Sequence, residues 1–222
     1  MTIDKGKETI SKRNLRERII LTSLEEFCKN GIKSITMDDI AALLKISKRT
    51  LYEVFQDKET LLKECIIYHQ RYVQKALAQL ISESSNVLEV ILKCYQGSVE
   101  MYNKVNKRFL EDIKKYPKVH EMIKKNREKD NKVVIEFMKN GVQQGLFRKD
   151  INFEIIHFLL REQMELLAVR AMEEFTFLEV YESIVFTYLR GISTEEGIHE
   201  LDEFLEKHRA EQLDKNNNKH SE

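Results

Sequence analysis

Residues 47–62 read SKRTLYEVFQDKETLL, and two patterns share these letters. Leu51, Val54, Phe55, Leu61 and Leu62 recur at spacings that put them on buried helix faces. Ser47, Lys48, Arg49, Thr50, Tyr52 and Lys58 are a dense run of groups able to meet phosphates or base edges. Ser47 is placed to cap a short helix over 48–54, because its hydroxyl can accept an orphan amide of the first turn. Phe55–Gln56 breaks that helix, and Asp57 caps a long one that starts at Lys58. Two helices joined by a tight corner, one short and polar outside, make half of a helix-turn-helix.

The other half lies upstream. In ITMDDIAALL, Thr36 followed by Asp39 three residues later predicts a capping box. Met37, Ile40, Ala41 and Leu44 then mark the buried face of a second helix, with Lys45–Ile46 as the turn. Ala41 is small where two helices must approach closely. Further back, Leu15, Ile19, Ile20, Leu24, Phe27 and Cys28 form a helical stripe that stops at Asn30–Gly31. Residues 1–12 read as a flexible arm. Downstream the pattern stays helical, over 58–83, 87–104, 106–115, 117–143, 152–172, 174–190 and 195–208. Pro117 suits a first helical turn. The end of the chain, 209–222, is polar and asparagine-rich and reads as a disordered tail.

Composition agrees with an all-α chain. Seven glycines and one proline in 222 residues leave few helix breakers, and 42% apolar residues suffice for a core. No apolar run reaches the length of a membrane span, and the polar start lacks the apolar stretch of a signal peptide. Cys28, Cys65 and Cys94 are unpaired in spacing and read as buried thiols of a cytoplasmic protein. The charges balance at 37 basic against 37 acidic, and residues 1–60 hold 12 against 10. This is no polybasic protein, so DNA contact must come from a few well-placed cations.

Reading duplex DNA needs a helix that enters the major groove and clamps that hold the phosphates on either side. Thr36, at a helix start, offers a hydroxyl and free amides. Lys48, Arg49 and Tyr52 occupy the outer face of the short helix. Lys58 opens a helix, where a cation opposes the dipole unless an anion faces it, and a phosphate would supply that anion. Glu53 is either solvated or repels phosphates of the wrong duplex. Lys12, Arg13, Arg16 and Arg18 are further candidates for backbone or minor-groove contact.

These residues carry a resemblance. Residues 16–62, RERIILTSLEEFCKNGIKSITMDDIAALLKISKRTLYEVFQDKETLL, resemble the DNA-binding domain of the TetR/AcrR family of bacterial transcriptional regulators. The resemblance implies a homodimer, usually a repressor, that binds a palindromic operator and releases it when a small molecule enters the C-terminal domain. It implies DNA contact at Thr36, Ser47, Lys48, Arg49, Thr50, Tyr52 and Lys58. Lys45 departs from it, because family members commonly have glycine in this turn; its side chain can add a phosphate contact.

The expected organisation is an arm and helix-turn-helix domain over 1–57, a helical ligand-binding and dimerisation bundle over 58–208, and the tail. The helices near 152–172 and 174–190 are the expected dimer interface. Their stripes are Ile155, Phe158, Leu159, Glu162, Leu166 and Val169, then Phe177, Leu178, Tyr181, Ile184, Val185 and Tyr188. Candidates for lining a pocket for a small hydrophobic effector are Tyr95, Met101, Tyr102, Phe109, Met122, Phe137, Met138, Phe158 and Met164, with core packing as the plainer role of each. Arg161, Glu162 and Glu165 are candidate polar anchors. No HExxH, ligand-spaced Cys/His pair or glycine-rich phosphate loop occurs, so neither an enzyme nor a cofactor or metal is expected. The remaining alternatives are a regulator that activates or lacks an effector, and a helical interaction protein with a vestigial DNA-binding domain.

Overall fold

Glycine 31 stands where α1 must stop. Its φ of +84° lies in the left-handed region, and a Cβ there would meet Arg108 Cβ at 2.9 Å. The structure, a computed structural model, describes residues 3–169 and 175–219; the side chains of 3–12, 127–130, 165, 167–169 and 208–219 are outside the description. Every named element is a helix: α1 Ile3–Asn30, α2 Met37–Leu44, α3 Lys48–Val54, α4 Lys58–Glu83, α5 Val87–Lys104, α6 Lys107–Ile113, α7 Pro117–Gln143, α8 Phe153–Val169, α9 Phe177–Ile192 and α10 Glu195–Lys219. The all-α expectation holds.

The chain forms two compact units, Met1–Gln79 with Glu100–Arg127, and Leu80–Val99 with Glu128–Glu222. The first is larger than the block 1–57 read from the sequence. Its core joins Ile19, Phe27 and Ile32 to Ile40, Leu51 and Phe55, and adds Leu61, Leu62, Cys65 and Ile66 of α4, Phe109 of α6 and Val119 of α7. Three short helices bury too little apolar surface alone, and α4, α6 and α7 supply the rest. Polar contacts fasten α6 to the end of α1. The Asn106 amide donates to Cys28 O at 2.7 Å, and the Asp112 carboxylate accepts from the Lys33 amide at 2.7 Å and from Lys115 Nζ at 2.8 Å. Burial pushes the Asp112 pKa up, but these hydrogen bonds outweigh it and hold the carboxyl below its usual range.

The second unit packs Leu88, Leu92 and Tyr95 of α5 against Phe147, Phe153, Leu189, Ile192 and Leu201. A short antiparallel bridge, Phe147 to Ser193, ties the α7–α8 connection to the end of α9. It is flanked by Arg148 N to Ile192 O at 2.8 Å and Thr194 N to Leu146 O at 3.0 Å. Helices α4, α5 and α7 each pass from one unit into the other without a break.

Three sequence expectations differ from the structure. Helix α1 begins at Ile3 rather than after an arm over 1–12, because Lys and Glu there are good helix formers. Helix α10 runs to Lys219, through most of the expected tail, where Ala210, Glu211, Gln212 and Leu213 continue the helix-forming composition. Cys94 is exposed, whereas Cys65 is buried and Cys28 half-buried, so only part of the buried-thiol reading holds. The expected end at 172 and start at 174 fall on residues outside the description; α9 begins at Phe177, capped by Thr176, and runs to Ile192 rather than 190. Among the described residues, no helix is long and apolar enough to cross a membrane and no cluster of His, Cys, Asp and Glu could hold a metal.

Candidate nucleic-acid interface

Local chemistry sets α2 and α3 before any long-range packing. Thr36 and Asp39 form the expected capping box: the Thr36 amide donates to Asp39 Oδ2 at 2.8 Å, and Thr36 Oγ1 accepts from the Asp39 amide at 3.1 Å. The Thr36 hydroxyl also donates to Asp39 Oδ2 at 2.7 Å. Hydrogen bonds from the Thr36 hydroxyl and amide hold the Asp39 carboxyl below its usual range. Ser47 Oγ accepts from the Thr50 amide at 3.0 Å and lies 2.7 Å from Thr50 Oγ1. Asp57 Oδ1 accepts from the Thr60 amide at 2.6 Å and starts α4.

The turn between α2 and α3 is closed by Ile46 N to Ala41 O at 3.0 Å and Lys45 N to Ala42 O at 3.1 Å, a Schellman arrangement. It needs a left-handed residue, and Lys45 takes that role with φ 55° and ψ 42°. A side chain there costs about 1 kcal/mol relative to glycine. Lys45→Gly is therefore expected to raise the denaturation midpoint by the equivalent of about 1 kcal/mol while weakening binding to scrambled DNA. Chemical denaturation and a duplex titration check both signs.

With the turn set, α3 buries Leu51 and turns Lys48, Arg49 and Tyr52 outward; Tyr52 is 46% exposed. Thr36, Lys45, Ser47, Lys48 and Arg49 are exposed, and Thr50 is half-buried. The eight expected DNA-contact residues thus fall on the capping turns and outer face of one short helix-turn-helix. Two of their cations are held by carboxylates. Lys48 Nζ pairs with Asp38 of α2, and Arg49 Nε donates to Glu53 Oε1 at 2.9 Å. Lys58 differs from an exposed clamp. It is half-buried, with Nζ 5.7 Å from the Phe27 ring centroid, and burial lowers its pKa against the pull of Asp112 and Asp39. Arg16 lies 5.1 Å over the Phe55 ring and pairs with Glu64 at 2.7 Å, while Arg13 and Arg18 are exposed. The Lys12 side chain lies outside the description.

The nine pocket candidates are divided between the two units, Met101, Tyr102, Phe109 and Met122 in the first and the other five in the second. Phe109 and Met122 pack in the first core. Met101 is 48% and Phe158 50% exposed; Tyr102 and Met164 are half-buried. Tyr95, Phe137 and Met138 belong to the second core, where Tyr95 stacks on Tyr181 at 5.8 Å and tilts against Phe186 at 4.9 Å. The second unit holds an open cleft of about 540 Å³ lined by Gln163, Phe175, Val180, Ser183, Ile184 and Tyr188. A second, of about 300 Å³, is lined by Ile81, Asn86, Val90, Phe137, Asn140 and Gln144. Only Phe137 of the nine lines either cleft. Arg161 donates to Glu162 at 3.2 Å and covers the Phe158 ring; Glu165 has no described side chain.

Sequence reasoning missed Asp38, Phe27 and Glu64, the partners of Lys48, Lys58 and Arg16. Asp38 and Lys48 lie on different helices, ten positions apart, and no helical spacing announces such a pair.

Residues 19–65 match the family model described as bacterial regulatory proteins, tetR family. The chain is 26% identical over 186 residues to the HTH-type transcriptional regulator YvaF of Bacillus subtilis, covering 81% of this chain and 96% of that one. It is 23% identical over 157 residues to the HTH-type transcriptional repressor KstR2 of Mycolicibacterium smegmatis, covering 66% and 74%. The crystal structure of a transcriptional regulator from Cytophaga hutchinsonii shares the fold with a TM-score of 0.65 at 19% identity, over 80% of this chain and 98% of that one.

Proposed function

Since the chain is a transcriptional regulator of the TetR family, we propose that it is a repressor that binds a palindromic operator as a homodimer in the cytoplasm. The observation that carries this reading is α3, whose Ser47 cap and buried Leu51 leave Lys48, Arg49 and Tyr52 on one outward face. Lys45, Thr36, Ser47 and Thr50 flank that face as phosphate contacts. Lys58 contributes by leaving the Phe27 ring for a phosphate. One such helix reads only a few base pairs, so two copies related by a two-fold supply useful specificity.

Helices α8 and α9 are the proposed dimer interface. Ile155 at 55%, Phe158 at 50%, Leu159 at 42% and Leu166 at 51% exposure form one apolar stripe on α8, more than scattered surface residues would. Release follows when a small hydrophobic molecule enters the second unit near Tyr95, Phe137 and Met138. The continuous helices α4, α5 and α7 support such coupling, because each belongs to both units. A regulator without an effector is the second reading, favoured by the burial of Phe109 in the first core and the packing of Met122 against it. Native mass spectrometry of the purified protein separates the two by a retained small-molecule mass.

Selecting duplexes from a randomised pool and footprinting the winners tests the main reading. The expected result is an inverted repeat with two protected half-sites. A single asymmetric site bound by a monomer would contradict it.

A further inference from the structure

The segment from Thr36 to Lys58 carries Lys45, Lys48, Arg49 and Lys58 against Asp38, Asp39, Glu53 and Asp57, so it has no net charge. This is unexpected for a surface that meets a polyanion. The four carboxylates have different jobs. Asp39 is used in the capping box of α2, and Asp57 caps α4. Asp38 and Glu53 cap nothing in the hydrogen-bond pattern around them. Instead Asp38 pairs with Lys48, and Glu53 receives the Arg49 guanidinium at 2.9 Å. Neither pair is needed for stability: the side chains are 68% and 51% exposed in the first and 89% and 61% in the second, and ion pairs this exposed contribute little to folding.

We infer that Asp38 and Glu53 are specificity-determining residues, which hold Lys48 and Arg49 off the phosphates of arbitrary DNA and release them only at a matching site. The inference rests on the DNA-binding reading above. Its physical basis is competition. Non-specific affinity comes almost wholly from cations that neutralise phosphates and release counterions. A cation already facing a carboxylate neutralises little, and the carboxylate itself repels the backbone. At a matching site the base-edge and desolvated contacts of α3 offset the broken pairs. On scrambled DNA nothing offsets them, so the two carboxylates lower background binding more than operator binding.

The test uses the full-length protein with Asp38→Asn and Glu53→Gln. Binding is titrated over a range of salt against a duplex selected by the unaltered protein and against its scrambled counterpart. Glu136→Gln, the same charge change at the exposed Lys139 pair on α7, is the control. Each variant is expected to bind the scrambled duplex about two- to fivefold more tightly at low salt. The slope of log affinity against log salt should steepen by about 0.9 for each cation freed. The preference for the selected duplex should fall, and the control should change nothing. Unchanged scrambled-duplex affinity and slope would overturn the inference. An equal gain in Glu136→Gln would also overturn it, since net charge alone would then be responsible. Loss of binding to the selected duplex only would overturn it in favour of carboxylates that accept from cytosine edges. If the unaltered protein selects no duplex at all, the DNA-binding reading falls first. Melting curves matching the unaltered protein establish that both variants are folded.

Discussion

A glutamate in place of Phe158 is expected to leave the subunit folded, to convert the proposed dimer to a monomer and to cost about 10²–10⁴-fold in affinity for a two-half-site operator. Phe158 is 50% exposed, so its replacement opens no cavity, and the second core, built on Leu88, Phe147 and Leu189, does not include it. The proposed interface would suffer directly. A two-fold contact places the same patch of α8 against its copy, so each substitution puts two carboxylates into an apolar seam. Operator binding then loses the advantage of tethering two recognition helices, while each half-site contact survives unchanged. Sedimentation of the variant and titration on full and half operators check this. A dimeric Phe158→Glu protein with intact operator affinity would move the interface off this face of α8.

The second large effect concerns α3 itself. Arg49 reaches out from the first turn of α3, where a fork of donors can bond two acceptors on one guanine. Its loss is expected to remove about 1–3 kcal/mol of discrimination at one base pair of each half-site. Tyr52, half-exposed with a terminal hydroxyl, suits a phosphate contact, so Tyr52→Phe is expected to weaken all duplexes alike.

Much of this was legible in the letters because it is local. The Thr36–Asp39 box, the Ser47 and Asp57 caps and the stop at Gly31 depend on neighbours within four residues, and the structure has all of them. The bounds of α5 and α7 agree with the expected 87–104 and 117–143 for the same reason, Pro117 opening α7. What was not legible is tertiary. Lys58 opens α4 as expected, yet its ammonium group lies over Phe27, a residue of α1 that no periodicity links to it. Phe109 and Met122 have the composition of a pocket lining but fill the first core, because apolar periodicity marks burial without saying against what. The tie from Asp112 back to the end of α1 was invisible, since its acceptor there meets the backbone amide of Lys33, which has no letter of its own.

The proposed function stands or falls on whether the face carrying Lys48, Arg49 and Tyr52 reads DNA sequence. The decisive measurement is a titration of the unaltered protein, Arg49→Ala and Tyr52→Phe against a selected duplex and its scrambled counterpart. Arg49→Ala is expected to lose mainly its preference for the selected duplex, and Tyr52→Phe to weaken both equally. Equal losses on both duplexes for Arg49→Ala, or no loss for either variant, would contradict the proposed function.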